Sequence, residues 1–529
     1  MEGTFWAFMP AIIAIVLALV TKQVYISLFF GILVGAMMYA GGNPLDALFT
    51  LYAVMSEKVG SNTPIIVFLV VLGILVVLMQ KSGGAKAYGE WASKKIKSKN
   101  GALAATAGLG CLIFVDDYFN CLTVGSVMRP VTDKFKASRS KLSYIIDATA
   151  APICIIAPIS SWAAAVTGEL EGNGLMAFIS TIPFNVYALL TIIMVFALCF
   201  FKFDFGKMKR NEMVTEATGD VHSGVEPDAK DDEEIMANPK GKVRHLLIPV
   251  LLLILCCIGG MIYTGFFYNW DTGLIDKVPQ SANVIEAFSN CDAGMSLAIG
   301  STIALIIIAI YYMASGVVSF KQITGSFTEG FKAMVPAILI LTFAWSISGI
   351  MGAKGGYLDA QAFVRNNLTN SNFPQFLFPA IFFVLAGAIA FSTGTSWGTF
   401  GVLVPIATVI LGQSGTMAIL TVSATLGGAV FGDHISPISD TTILASAGAQ
   451  CNHVEHVNTQ LPYASLVAGI AVISYLIAGL CVGLGGVLTG VIMWVATLAM
   501  FAGAIFAIKY LTKKKEASAV AEEVTEIQE

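Results

Sequence analysis

A chain of 529 residues that is 56% hydrophobic and only 12% charged sits far below the roughly 25% charged content of soluble domains, which excludes an ordinary water-soluble enzyme. A net charge of -4 excludes a nucleic-acid partner, since phosphate binding needs a basic surface. No G-x-x-x-x-G-K-[ST] loop occurs, so the phosphate cradle of an ATP-driven pump is missing and any transport is secondary.

Apolar runs of about 18 residues or more are each long enough to cross a hydrocarbon core of roughly 30 Å. Hydropathy predicts spans near 5–21, 24–40, 63–80, 142–166, 174–201, 245–266, 293–316, 332–352, 415–450, 461–484 and 486–511. The first run follows Glu2 with no basic segment before it, so it is expected to remain as a span and not to be cleaved as a signal peptide. Nine cysteines are scattered without a C-x-x-C pair, Cys256 and Cys257 lying inside an apolar run; they read as reduced packing residues.

Two apolar stretches, 101–128 and 375–412, fall outside that series. The first is preceded by Lys81, Lys86, Lys94, Lys95, Lys97 and Lys99 and followed by Arg129, Lys134, Lys136, Arg139 and Lys141. Basic flanks are cytoplasmic, so this segment leaves and returns on one side as a re-entrant hairpin with Asp116-Asp117-Tyr118-Phe119-Asn120 at its tip. Irregular backbone at that depth must be enclosed by protein or line a water-filled cavity. The second stretch is bounded by Ser371-Asn372-Phe373-Pro374 and Gly412-Gln413-Ser414-Gly415, with Ser392-Thr393-Gly394-Thr395-Ser396 in its middle, and reads as a hairpin entering from outside.

The other charges fit the same orientation. Loop 202–244 opens with Lys202, Lys207, Lys209 and Arg210 and closes with Lys240, Lys242 and Arg244; loop 267–292 carries Asp271, Asp276, Glu286 and Asp292 against Lys277; the last span ends at Lys513-Lys514-Lys515. The N-terminus is then outside and the C-terminus cytoplasmic. The acidic centre of 202–244 and the tail 512–529 are poor in aromatics and expected to be disordered.

In register, residues 1–201 read as three spans, a hairpin and two spans, and 245–484 repeat that order with opposite orientation. Pro158-Ile159-Ser160-Ser161 follows the first hairpin and Pro437-Ile438-Ser439-Asp440 the second. Proline removes a helical hydrogen bond, so 142–166 and 415–450 are expected as broken helices, and inverted repeats of this kind place substrate near the midplane. The segment 485–511 is an extra transmembrane helix. The fold class is therefore an all-α polytopic membrane protein, with about 11 transmembrane helices plus two re-entrant hairpins in two inverted repeats with broken helices.

Intramembrane acids are functional candidates because an unpaired charge there costs several kcal/mol. Asp116 and Asp117 lie at a hairpin tip, Asp147 in the first broken span, and Asp433 and Asp440 flank Pro437. Burial and a neighbouring carboxylate favour proton uptake while a bound cation favours the charged form, and competition of the two at one acid is antiport. The structural alternative for these acids, foremost for Asp116 and Asp147 and less so for Asp117, Asp433 and Asp440, is pairing with Arg129 or capping a half-helix. Hydroxyls and carbonyls at unwound helix ends supply hard oxygen ligands for a small alkali cation. One cluster would join Asp117, Asn120 and Thr123 to Ser160 and Ser161, and its counterpart Thr393, Thr395 and Ser396 to Ser439, Asp440 and Thr441. Na+ is placed at Asp117, Asn120, Asp440 and Thr441. His434 beside Asp433 is a candidate proton carrier, whereas His453, Glu455 and His456 read as a solvated cytoplasmic connection.

The string Phe431-Gly432-Asp433-His434-Ile435-Ser436-Pro437-Ile438-Ser439-Asp440-Thr441-Thr442 resembles the signature of the sodium/proton antiporter NhaC family, as do Ser392-Thr393-Gly394-Thr395-Ser396-Trp397-Gly398-Thr399 and Val115-Asp116-Asp117-Tyr118-Phe119-Asn120. The resemblance spans about 100–200 and 330–480 and implies the ion-transporter superfamily, whose members are typically homodimers with a scaffold and a moving transport part. It implies Na+/H+ exchange across a bacterial cytoplasmic membrane, with membrane lipid, Na+ and H+ as partners and no cofactor. The family also includes carriers of organic solutes, such as malate with lactate or amino acids, so Na+- or H+-coupled transport of a small carboxylate or amino acid is the alternative. No arginine occurs in either predicted cluster, and arginine is the usual carboxylate clamp. An intramembrane aspartyl hydrolase, from Val430-Phe431-Gly432-Asp433, is the remote alternative.

Overall fold

A computed structural model describes residues 3–21, 23–170, 174–201, 203–226, 238–269, 274–276, 279, 281, 283–289, 291–351, 357–363, 374–412 and 414–528. Lys202, Asp271, Lys277, Ser371, Asn372, Phe373, Gln413 and the run 227–237 of the acidic loop lie outside the described residues. In lipid every backbone group must be paired within its own segment, and the chain answers with helices. The first half holds α1 (Met9–Thr21), α2 (Val24–Tyr39), α3 (Pro44–Ser61), α4 (Thr63–Lys81), α5 (Gly84–Lys95), α6 (Lys99–Leu112), α7 (Asp117–Lys134), α8 (Arg139–Cys154), α9 (Ser161–Glu169), α10 (Gly174–Thr181), α11 (Val186–Phe201) and α12 (Gly206–Thr218). The second holds α13 (Arg244–Phe267), α14 (Val284–Ser289), α15 (Ala293–Ala314), α16 (Phe320–Met351), α17 (Ala360–Phe363), α18 (Phe378–Thr393), α19 (Ser396–Leu411), α20 (Thr416–Ile435), α21 (Asp440–Ala449), α22 (His453–Cys481) and α23 (Gly486–Gln528). A two-residue antiparallel pairing joins Tyr268–Asn269 to Leu274–Ile275.

The protein is an all-α polytopic membrane protein. Among the described residues, 8 helices are long and apolar enough to cross a membrane, or up to 10 when each bent pair is one span; other expected spans are built from shorter pieces. The hairpin arms α6 and α7 have 14 and 18 residues, and α18 and α19 have 16 each. At 1.5 Å per residue α6, α7 and α19 reach roughly 21–27 Å, short of a full crossing, whereas α18 with the 3-10 turn before it (Gln375–Thr393, 19 residues) is counted among the candidate spans. The run 142–166 is broken between Cys154 and Ser161, and 415–450 between Ile435 and Asp440. Helix α20 lies at the centre, with 83% of its apolar window buried, whereas α23 is peripheral at 17%.

Four segments depart from expectation. Helix α3 was hidden from hydropathy by Asp46, Glu57 and Lys58. It starts where Asn43 accepts a hydrogen bond from Leu45 N at 3.1 Å with Pro44 behind it, and it folds back on α2 at 120°. The run 174–201 is not one helix: Pro183 sits in a 3-10 turn, after which Asn185 opens α11 by accepting from Ala188 N at 3.1 Å. Residues 203–226 are ordered, because Met208, Asn211, Glu212 and Thr215 form a buried stripe on α12 at helical spacing. The tail, expected to be disordered, continues α23 to Gln528; it is rich in Ala, Glu and Lys, which are good helix formers.

Candidate functional site

Both hairpin tips are stitched to the break beside them in the same way. Ser161 N, opening α9, donates to Val115 O at 2.9 Å, and Asp440 N, opening α21, donates to Gly394 O at 3.3 Å. Val115 and Gly394 each lie one residue before the cap of the hairpin's second helix, Asp116 for α7 and Thr395 for α19. The four helix starts share one capping pattern: Asp116 accepts from Phe119 N (2.9 Å), Ser160 from Ala163 N (3.0 Å), Thr395 from Gly398 N (3.4 Å) and Ser439 from Thr442 N (3.2 Å). Each side chain satisfies an amide that a helix start leaves unpaired. Ser160-Ser161 and Ser439-Asp440 thus occupy matching positions, as do Asp116-Asp117 and Thr395-Ser396. The tight Gly394 turn requires glycine: its φ is +69°, and a Cβ would stand 2.3 Å from Ile438 O.

In the first cluster, Asp117 accepts from Trp162 Nε1 at 3.0 Å and from Tyr118 N at 3.1 Å. Asn120 Nδ2 approaches Gly110 O (2.7 Å), Ile113 O (2.9 Å) and Thr149 O (3.2 Å), closing the end of α6 and tying it to α8. Its Oδ1 and the Thr123 hydroxyl are buried without a hydrogen-bond partner among the described residues. Ser160 also donates to Cys154 O at 2.7 Å, joining the two half-helices. Trp162 and Trp397, 5.6 Å apart, face each other with Phe400 against both, so aromatic rings wall off the α9–α19 side.

In the second cluster, Thr441 donates to Asp433 Oδ2 at 2.6 Å and its hydroxyl lies 3.3 Å from that of Ser439. The two clusters are bridged by Tyr118, whose hydroxyl reaches Asp440 Oδ2 at 3.4 Å. Helices α7 and α21, which bring them together, cross where glycine is demanded on both: a Cβ on Gly125 would stand 2.4 Å from the Gly448 carbonyl carbon. Asp116, Asp117 and Asp433 are buried, whereas Asp440 is exposed beside Pro437 and Ile438.

The structure brings Asp117, Asn120, Ser160, Ser161, Ser439, Asp440, Thr441 and Asp433 to the two breaks. It assigns some of them to other work. Asp116 is the cap of α7; Thr441 is held by Asp433 and not by Asp440; Thr393 donates to Ile389 O at 2.9 Å within its own helix; Thr395 caps α19, and Ser396 is buried. Among the described residues no group of three or more His, Cys, Asp and Glu side chains is placed to hold a metal ion, so the oxygen donors available to Na+ are one carboxylate at a time with amide, hydroxyl and carbonyl oxygens. His434 is buried with Nδ1 2.9 Å from Tyr187 Oη.

Other residues were read differently from sequence. His453, Glu455 and His456 form the first turn of α22 and not a loop. His453 Nε2 lies 2.8 Å from Pro437 O, Glu455 accepts from Asn211 Nδ2 at 2.8 Å, and His456 is fully buried against Asp147. Asp147 takes Thr442, Gln460 and His456 as partners, with no cap role. Tyr118 stood in the first hairpin's tip string with no role assigned to it, whereas Tyr187, Gln460 and the buried Glu169 had no local motif; Glu169 and Gln460 lie just outside the predicted spans 142–166 and 461–484.

Hairpins whose tips are pinned to the breaks of two broken helices, in repeated register, define a secondary transporter. The chain belongs to the Na+/H+ antiporter family, whose sequence profile matches residues 165–480. That match includes Asp433 and Asp440 and leaves the first hairpin outside it. An uncharacterised protein of Haemophilus influenzae is 38% identical over 96% of both chains. The malate-2H+/Na+-lactate antiporter of Bacillus subtilis is 32% identical over 155 residues, 28% of this chain and 31% of that one. The Alcanivorax borkumensis YdaH transporter shares the fold, with a TM-score of 0.53 at 14% identity, over 83% of this chain and 90% of that one.

Proposed function

We propose that the protein exchanges Na+ for H+ by alternating access across the cytoplasmic membrane of a bacterium, with its N-terminus outside, its C-terminus cytoplasmic and no cofactor. The observation that carries this reading is the Tyr118–Asp440 bridge, which joins the hairpin of one repeat to the break of the other beside buried Asp117. A cation at Asp117 or Asp440 would be held by the carboxylate together with oxygens such as Asn120 Oδ1, Thr123 and the carbonyls at the ends of α6 and α20. A proton at the same carboxylate neutralises it and displaces the cation, and that exclusion couples the two ions. Ser160, Ser161, Ser439 and Thr441 position the half-helices, and His434 carries protons beside Asp433. A homodimer, formed through the part containing the peripheral helices, would hold the scaffold still while the hairpins move.

A second reading is transport of a small carboxylate or amino acid coupled to Na+ or H+. It is favoured by four capped helix starts around one site, which can hold an anion without arginine, and by the malate-2H+/Na+-lactate antiport of the Bacillus subtilis relative. The test is 22Na+ uptake into liposomes driven by a pH gradient alone. Uptake in buffer and salt, unchanged by added dicarboxylates or amino acids, is the expected result; Na+ movement only when a solute is supplied would replace the bare-ion reading by the second.

A further inference from the structure

One buried cluster plays no part in the exchange just described. Asp147 lies in the middle of α8 and His456 in the first turns of α22, and neither side chain has any exposed surface. His456 Nε2 is 3.3 Å from Asp147 Oδ2, and the same oxygen accepts from Gln460 Nε2 at 2.7 Å and Thr442 Oγ1 at 3.1 Å. All three partners crowd one oxygen. Asp147 Oδ1 and His456 Nδ1 have no hydrogen-bond partner among the described residues.

Among the described residues, the charged and titratable groups on the elements around the pair leave it without a fixed cation in hydrogen-bond contact. Helix α7 presents Asp117 and Cys121, α20 presents Asp433 and His434, α21 presents Asp440, and α11 presents Tyr187, which is taken by His434. On α8 itself, Arg139 is held by Asp133 and Lys141 by Asp204. On α12, Glu212 is held by Lys99, and on α22 Glu455 is held by Asn211. A buried carboxylate near further carboxylates is costly; two imidazoles stand beside it, His434, whose Nδ1 is taken by Tyr187, and His456, which is in hydrogen-bond contact with the carboxylate itself.

We propose that Asp147 and His456 are a proton-binding pair separate from the cation site at Asp117 and Asp440. The inference rests on the exchange reading above and adds a second proton, bound apart from the carboxylate at which Na+ and H+ compete and needed for exchange to proceed. With His456 neutral the pair carries one negative charge. Uptake of a proton at the imidazole turns it into an imidazolium–carboxylate pair with no net charge, and release returns the proton to water with both nitrogens unchanged in number of bonds to carbon.

The pair is wired to the cation site through adjacent residues of α21. Thr442 has one hydroxyl proton and two acceptors, Asp147 Oδ2 at 3.1 Å and Asp433 O at 3.3 Å. The residue before it, Thr441, donates to Asp433, and the residue before that is Asp440. Gln460 Nε2 also reaches His434 O at 2.7 Å, tying the end of α20 to the same carboxylate. Charging His456 changes the demand of Asp147 for the Thr442 proton, so proton load is transmitted to the first turn of α21.

The test uses the purified full chain in liposomes, with two fluxes. Equilibrium exchange of 22Na+ for Na+ needs the cation site and no proton, whereas Na+ uptake driven by a pH gradient needs both. His456→Gln keeps an N–H for Asp147 but cannot take up a proton. It is expected to retain Na+/Na+ exchange within about twofold and to lose Na+/H+ exchange at least tenfold, and Asp147→Asn is expected to behave alike. Wild-type Na+/H+ exchange with an unchanged pH profile in His456→Gln would overturn the proposal, and so would loss of Na+/Na+ exchange in both variants. Absence of both fluxes in the unsubstituted protein would instead overturn the exchange reading on which it rests.

Discussion

Asp440 stands apart from the other intramembrane acids because it is exposed while Asp117, Asp433 and Asp147 are not. An exposed carboxylate one bond network away from a buried one is the order in which an arriving cation would meet them. Asp440→Asn and Asp117→Asn keep shape and hydrogen-bonding capacity but remove the charge, and each is expected to lower Na+-dependent proton movement at least tenfold, about 1.4 kcal/mol in barrier terms, at normal membrane abundance. Wild-type flux in both would make these acids structural. Glu169 calls for the opposite expectation. Both its carboxylate oxygens are buried without a partner among the described residues, so Glu169→Gln removes a desolvated ionisable group. The variant should melt no lower than the parent and retain exchange; a fall in melting temperature of several degrees would show that the carboxylate is held by a charge.

At the scale of elements, α12 is a strap over the cytoplasmic-facing starts of α6, α8 and α22 in the proposed orientation. Asn211 Nδ2 reaches Ser140 Oγ at 2.9 Å and Glu455 Oε1 at 2.8 Å, Glu212 accepts from Ser138 N at 2.8 Å and from Lys99 at 2.8 Å, and Val221 O accepts from Arg139 N at 2.8 Å. Asn211→Ala removes two of these contacts at about 1 kcal/mol each, and hydrogen exchange across 203–226 should speed up while the membrane helices stay protected. Burial, with Arg139 nearby, holds His222 in this strap below its ordinary range, against Asp220 and Asp133. A depressed histidine is a group the unfolded segment protonates more readily, so the strap loses stability as the pH falls below about 6.5. Exchange measured from pH 8 to 5 should show progressive loosening, and His222→Gln should flatten the curve. The α7–α21 crossing offers a sharper test of packing. Gly125→Ala forces a methyl to 2.4 Å from the Gly448 carbonyl carbon, overpacking worth about 1–3 kcal/mol, and should lower both the melting temperature and exchange; parental melting would mean the crossing is looser than the glycines imply.

For the whole molecule, the arrangement of one repeat against the other depends on the first hairpin returning to the side it left. Single cysteines replacing Lys97 and Lys136, in a variant lacking the native cysteines, should both be labelled only from the cytoplasm. Labelling from opposite sides would turn 101–128 into a full span and remove the inverted relation. In the proposed exchange, with Asp440 exposed and Asp117 enclosed, the packed rings of Trp162, Trp397 and Phe400 lie on the α9–α19 side of the buried carboxylate.

The hairpin turns, the two breaks and their matched Pro-Ile-Ser elements were legible in the chain, because hydropathy over about twenty residues, proline in a helix and charge beside an apolar run act locally. The acids Asp116, Asp117, Asp433 and Asp440 were legible for the same reason, since a charge inside an apolar run is conspicuous wherever it points. Helix α12 was not, because its buried stripe is made of Asn211, Glu212 and Thr215 with Met208, residues that read as solvated until α8 and α22 cover them. Only the tertiary structure decided which partner each acid takes. Asp147 meets His456 across 309 residues and Gln460 across 313, and Tyr118 meets Asp440 across 322. These contacts depend on how far each helix is rotated about its axis and where the α7–α21 and α8–α22 crossings fall, and a helix's rotation is set by all the neighbours that pack on it.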